Sequence, residues 1–184
     1  MQGDVVVMAT VTTPETIYAV YALNRLGAVA NMIDPRTSVE GIKEYITEVD
    51  AKYVLCIDVA YPKIEKAIAG TTVEKIIIVS PADSLPQPKK FLFNIMNKLK
   101  GSTPKLGRNC IIWLDMLSAG RNGVYTTAAY QPNVCCVIEH TGGTTGLPKG
   151  VMLTDDNFNS AAEQIKNSPL RLERQDKFLN IMPP

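Results

Sequence analysis

Six short runs of β-branched and aliphatic residues punctuate the chain: VVVMA from Val5, AVANMI from Ala28, YVLCI from Tyr53, KIIIV from Lys75, CIIWL from Cys110 and VCCVI from Val134. Their hydrophobicity is continuous rather than alternating, which implies strands covered on both faces, as in a parallel sheet. Stretches of helical period separate them. Thr13-Pro14 supplies an N-cap with proline at the first helical position, and Gly27 closes that helix. Thr37-Ser38-Val39-Glu40 reads as a capping box ahead of Ile42, Tyr45, Ile46 and Val49 on one helical face. A third helix is expected from Tyr61 to Ala69. Strand and helix thus alternate repeatedly, which predicts an α/β fold: a mostly parallel sheet flanked by helices and joined by right-handed crossovers.

At 184 residues and 46% hydrophobic, the chain can bury one sizeable core. Its 19 basic residues balance 18 acidic ones, so no whole-chain field draws in nucleic acid, and no nucleic-acid partner is expected. Cys56, Cys110, Cys135 and Cys136 lie in apolar runs without CxxC spacing, and there is a single His. Buried free thiols in a reducing cytoplasm fit better than zinc or a disulfide framework, and no residue is assigned to a metal. The longest unbroken apolar run, Ile17 to Leu23, is too short to span a bilayer, and the chain starts without the basic segment of a signal peptide. The expected compartment is the cytoplasm.

From Asp83 to Asn109 the alternation breaks into DSLPQPKKFLFNIMNKLKGSTPKLGRN, an insertion or long connection expected to hold one helix from about Lys90 to Lys100. On it Phe91, Leu92, Ile95, Met96 and Leu99 share a face, with Lys89, Lys90, Asn94, Lys98 and Lys100 opposite or at the ends. A basic amphipathic helix over 89–100 can lie on an anionic membrane surface. Packing of its apolar face on the same protein is the favoured reading.

The densest chemistry lies at Thr141-Gly142-Gly143-Thr144-Thr145-Gly146-Leu147-Pro148-Lys149-Gly150. A glycine-rich turn between a buried strand and a helix lets backbone N–H groups converge on an oxyanion. Thr141, Thr144 and Thr145 add hydroxyl donors and Lys149 adds a mobile positive charge, so 141–150 reads as a phosphate-binding loop for a polyphosphate. An ordinary hairpin would explain one or two glycines, but not three threonines, Pro148 and Lys149 in this order. The GxxxxGK(S/T) pattern fails because Leu147-Pro148 separates Gly146 from Lys149. No GxGxxG fingerprint follows the first strand either, which removes a generic dinucleotide-binding domain.

This segment resembles the Ser/Thr-Ser-Gly-Thr-Thr-Gly-x-Pro-Lys-Gly signature of the adenylate-forming superfamily, the AMP-dependent synthetases and ligases. LNRLGAVANMIDPRTS from Leu23 to Ser38 is similar to a second family segment. VMLTDDNF resembles the V-x-L-T-H-x-N that follows the loop, and FLNIMPP resembles the run into the next family motif. The likeness covers the chain apart from Asp83 to Asn109. It implies that residues 1–184 are part of one AMP-binding N-terminal domain, incomplete at both ends.

The resemblance further implies activation of a carboxylic acid by attack on the α-phosphate of ATP, with pyrophosphate release and an acyl-adenylate, then transfer to a thiol such as CoA. Thr141, Gly142, Gly143, Thr144, Thr145, Gly146 and Lys149 carry over as contacts to the β- and γ-phosphates. The catalytic residues and the magnesium ligand fall outside this chain, so the fragment alone is expected to be inactive. Exposed apolar surface should then favour its self-association. The insertion resembles that of some bacterial long-chain fatty acyl-CoA ligases, which favours a fatty acid and peripheral membrane contact.

The family pattern is not matched throughout. Gly142-Gly143 stands where Ser-Gly is usual, which removes a hydroxyl donor; Asp155 stands where many members have His; His140 replaces an aromatic residue. His140 is read as a hydrogen-bonded strand-end histidine in preference to a general base. Asp155-Asp156 is read as capping a helix that buries Phe158, Ala161, Ala162 and Ile165, not as a metal pair. The competing function is a stand-alone, non-catalytic nucleotide- or phosphate-binding module.

Overall fold

A computed structural model describes residues 2–99, 106–142, 149–169 and 173–177. Five residues at a time, the apolar runs form β1 (Val5–Ala9), β2 (Val29–Ile33), β3 (Tyr53–Ile57) and β4 (Lys75–Val79). Shorter β5 (Cys110–Ile112) and longer β6 (Cys135–Thr141) and β7 (Lys149–Thr154) complete one sheet in the order β5-β4-β3-β1-β2-β6-β7. Every pairing is parallel except β6 with β7, which is antiparallel.

Alternate side chains of the central strands enter two cores. Val7, Ala9, Val54 and Ile76 meet Ile42 and Ile46 of α2 (Val39–Glu48) and Tyr61 and Ile64 of α3 (Tyr61–Ala67). Val6, Met8, Ala30 and Leu55 meet Ala19 of α1 (Pro14–Leu26) and Trp113 of α5 (Trp113–Gly120) on the other face. Strands buried on both sides explain their unbroken hydrophobicity, and each fully buried aliphatic side chain contributes about 1.5–3 kcal/mol.

The ends of α1 follow the sequence. Thr13 Oγ1 accepts from the Thr16 N–H at 3.3 Å, Pro14 opens the helix, and Gly27 closes it in the left-handed region at φ 70°. The start of α2 does not. Its N-cap is Ser38, whose hydroxyl accepts from Gly41 N at 3.1 Å, so the third helical position carries no side chain to reciprocate and the box expected at Thr37 is absent. A reciprocal box occurs instead at α6 (Asp155–Lys166), between Thr154 and Asn157.

The expected insertion helix forms as α4 (Lys89–Leu99). The segment ahead of it is fastened to α1, where Ser84 donates to the buried Glu15 carboxylate, and Lys90 lies 3.7 Å from Asp83 within the insertion. The far side of the insertion is held where Gly107 N donates to the Tyr61 hydroxyl at 3.0 Å. The apolar face of α4 does not pack on the described protein, with Phe91 64% and Leu92 61% exposed. Packing on the same chain, the favoured expectation, is therefore not what the described residues do. The same holds for α6, which buries no residue and leaves Phe158 and Ile165 about half exposed, at 47% and 50%. It follows an edge strand, so nothing among the described residues covers it.

Candidate functional site

Cys136 and Val137 of β6 point into the core beneath α1, and the strand then runs out of the core through half-buried Ile138, Glu139 and His140 to exposed Thr141. Pairing with β7 sets Thr141 opposite Lys149 and His140 opposite Gly150. The threonine-rich segment is therefore the connection of an antiparallel hairpin. This corrects the strand-to-helix turn expected from the sequence: a strand intervenes, and α6 starts at Asp155, next to Thr154, which pairs with Cys135 at the opposite end of the hairpin. The positive end of α6 is thus not aimed at the loop, and any anion there depends on backbone N–H groups, hydroxyls and Lys149.

At the mouth, Thr141 Oγ1 donates to the Lys149 carbonyl at 3.4 Å. Thr141, Gly142 and Lys149 are exposed, and a Cβ placed on Gly142 would meet nothing within 4 Å. A hydroxyl, an open glycine backbone and an ammonium group are donors only an anion would use together, so the residues present fit a phosphate. Gly143, Thr144, Thr145 and Gly146 lie outside the described residues. No group of three His, Cys, Asp or Glu side chains that could hold a metal occurs among the described residues.

The root of the hairpin is fixed by contacts that sequence reading did not supply. His140 Nε2 lies 2.7 Å from Oδ1 of Asn31, a fully buried residue in the middle of β2. The His140 ring centroid is 4.2 Å from that of Tyr45 on α2, with the planes tilted by 50°. The lone polar residue inside the apolar run AVANMI was the available signal for Asn31. Burial lowers the His140 pKa, partly opposed by Glu48, and burial raises that of the Glu139 carboxyl.

Asp155 and Asp156 do not cap α6, because Thr154 does. Asp155 accepts a hydrogen bond from Asn24 of α1, and Asp156 accepts one from the Tyr130 hydroxyl at 2.8 Å. They tie the start of α6 to α1 and to the segment before β6. Beside them lies a cavity of about 360 Å³, lined by Asn24, Arg25, Gly27, Tyr130, Cys135 and Asp155. It sits at the end of β6 away from the loop and shares none of these residues with it. The four cysteines are free thiols, Cys56 and Cys136 buried.

A family model described as AMP-binding enzyme matches residues 1–184. The chain is 26% identical to a long-chain-fatty-acid–CoA ligase of Bacillus subtilis, across 99% of this chain and 33% of that protein. It is also 26% identical to a 4-coumarate–CoA ligase of Narcissus pseudonarcissus, across 99% of this chain and 30% of that protein. The chain therefore spans about a third of the length of the curated relatives it matches. Its fold matches the crystal structure of a long-chain-fatty-acid–CoA ligase from Archaeoglobus fulgidus with a TM-score of 0.61 and 21% identity, covering 90% of this chain and 28% of that one.

Proposed function

The chain belongs to the AMP-binding enzyme family, and from that premise we propose that the protein carrying it is an ATP-dependent acid:thiol ligase. A carboxylate oxygen attacks the α-phosphorus of ATP, the bond from that phosphorus to the bridging oxygen breaks, and pyrophosphate leaves with the electron pair. The acyl-adenylate then passes its acyl group to a thiol, with CoA the expected acceptor, and AMP departs. The part assigned to this chain is the leaving group: Thr141, Gly142, Gly143, Thr144, Thr145, Gly146 and Lys149 hold the β- and γ-phosphates. Donors already in place where negative charge grows favour the transition state over the ground state.

The observation that carries this reading is the pairing of Thr141 with Lys149 at the mouth of a hairpin whose connection is the family's signature segment. A magnesium ion would supply further charge neutralisation, from ligands outside this chain. A fatty acid is the favoured substrate, since curated relatives named for long-chain fatty acids support it; the 4-coumarate relative keeps an aromatic acid as the competitor. A phosphate loop cannot by itself align a carboxylate with an α-phosphate, so residues 1–184 alone are proposed to be inactive. The free thiols fit a cytoplasmic compartment.

ATP–pyrophosphate exchange by the whole protein, across acids from acetate through palmitate to benzoate, tests the assignment. Exchange with one acid class names the substrate. Binding of ATP without exchange by any acid would favour the non-catalytic phosphate-binding module instead.

Membrane contact through 89–100 belongs to the same reading. No helix among the described residues is long and apolar enough to cross a membrane. Exposed Phe91, Leu92, Ile95 and Met96 on α4 suit insertion at an interface. No acidic residue occurs between Ser84 and Leu114, where Lys89, Lys90, Lys98, Lys100, Lys105 and Arg108 suit anionic headgroups. Co-sedimentation with vesicles containing anionic lipid is expected, falling about tenfold or more in the double variant Phe91→Glu, Leu92→Glu. Equal binding to neutral vesicles, or no change in the variant, would remove this contact. Association of the chain with itself through the uncovered faces of α4 and α6 is the competing use of that surface.

A further inference from the structure

Three other elements, β2, α2 and β7, converge on one imidazole of β6 at the base of the loop. His140 sits next to Thr141 on β6; Asn31 reaches it from β2, Tyr45 covers it from α2, and Gly150 lies across from it on β7. The last position has to be small. A Cβ on Gly150 would come within 3.4 Å of His140 Cε1 and 3.1 Å of Ile138 Cγ2, so the glycine makes room for the ring inside the hairpin root. We propose that His140 is a positioning residue for the phosphate loop, a latch that fixes the β6 arm while its imidazole is neutral and releases it on protonation.

The chemistry of the nitrogens supports this. With Asn31 Oδ1 as acceptor, Nε2 carries the proton, and Nδ1 is a buried atom with no partner among the described residues. A neutral ring leaves only a lone pair there. A protonated ring places a second N–H in the same spot, and a buried donor without an acceptor is unfavourable. The groups around the ring do little to hold the cation. Tyr45 and Glu48 lie on α2, and only Glu48 favours the charged form, against a larger effect of burial. On β6 the neighbouring Glu139 side chain alternates to the other face of the strand. The residue opposite on β7 is glycine, and Asn31 on β2 is uncharged.

The sign follows from the lowered pKa. The latched state prefers neutral His140, so latching is fully present above about pH 6.5 and is lost as pH falls from there through the lowered value. As a device that tunes phosphate affinity, it rests on the ligase reading. As a conformational latch it stands separately.

The chain contains one His, so its imidazole resonances are unambiguous in the spectra of the 184-residue chain. The expected result is a titration midpoint below about 6.5, the Nε2–H tautomer, and amide signals of Thr141, Gly142 and Gly150 moving with that midpoint. Asn31→Asp puts a carboxylate on Nε2 and is expected to raise the midpoint by about one unit or more. In the whole protein, ATP affinity should weaken about tenfold more between pH 7.5 and pH 5.5 than in His140→Phe, which cannot titrate and corrects for protonation of ATP itself. Amides that ignore the imidazole titration, an unmoved midpoint in Asn31→Asp, or the same pH dependence in His140→Phe would each overturn the latch. Coupled titration in a protein that binds no ATP at any pH would leave the latch standing and sink the ligase reading.

Discussion

Replacing Lys149 by alanine is expected to lower ATP–pyrophosphate exchange by the protein about a hundredfold or more, the scale of losing one preorganised donor to a developing negative charge. Lys149 opens β7, so its backbone is pinned by pairing with Thr141 while its side chain stands exposed. The substitution therefore removes a positive charge and leaves the strand in place. Stability should change by no more than about 0.5 kcal/mol, as for other exposed positions free of special features. Charge on the pyrophosphate grows as the bond to the α-phosphorus breaks, so kcat should fall more than KM rises. Arginine should restore only part of the loss, because a planar guanidinium does not reproduce a compact ammonium group on a flexible stem. Unchanged exchange in Lys149→Ala would remove the residue from the phosphate site and with it the role proposed for the hairpin mouth.

The architecture was largely legible because four central strands are buried on both faces, and such strands are apolar throughout. Thr13-Pro14 and Gly27 bounded α1 for equally local reasons, since the cap, the proline ring and the left-handed glycine each act within a few residues. What escaped had weak or misleading local signals. CIIWL reads as one run, yet the strand stops at Ile112 and Trp113 opens a helix; a short apolar run has no period to separate the two. β7 is an edge strand with Val151 and Met152 exposed, so it lacks the hydrophobicity that marked the others. Amphipathic spacing identified the apolar faces of α4 and α6, but it cannot say whether anything lies against them. At the site, the proposed phosphate role came from the order of residues in the loop, whereas the contact between His140 and Asn31 joins residues 109 positions apart and exists only once β2 and β6 are neighbours.

Trp113→Ala should be the most destabilising single substitution on the α1 and α5 face, costing about 3–5 kcal/mol. The indole is 5% exposed and belongs to the core with Leu55, Val79 and Met8, although it is the first residue of α5. Met116 packs partly buried against the same core, while Leu114 is 36% and Leu117 48% exposed. Trp113 is thus the one buried side chain of α5, and it closes the core over the β3–β4 side of the sheet. Against a total stability of about 5–15 kcal/mol, its loss would remove about a fifth or more. A chain of this size should then melt on the order of 10 °C lower. Circular dichroism would follow the variant, and in the parent the same opening can be read from fluorescence because Trp113 is the sole tryptophan. Leu114→Ala, one residue on and 36% exposed, should cost about 1 kcal/mol or less. If the two variants proved equally stable, the core beneath α5 would not be continuous with the strands, and the helix would be an appendage to the sheet instead of part of its cover.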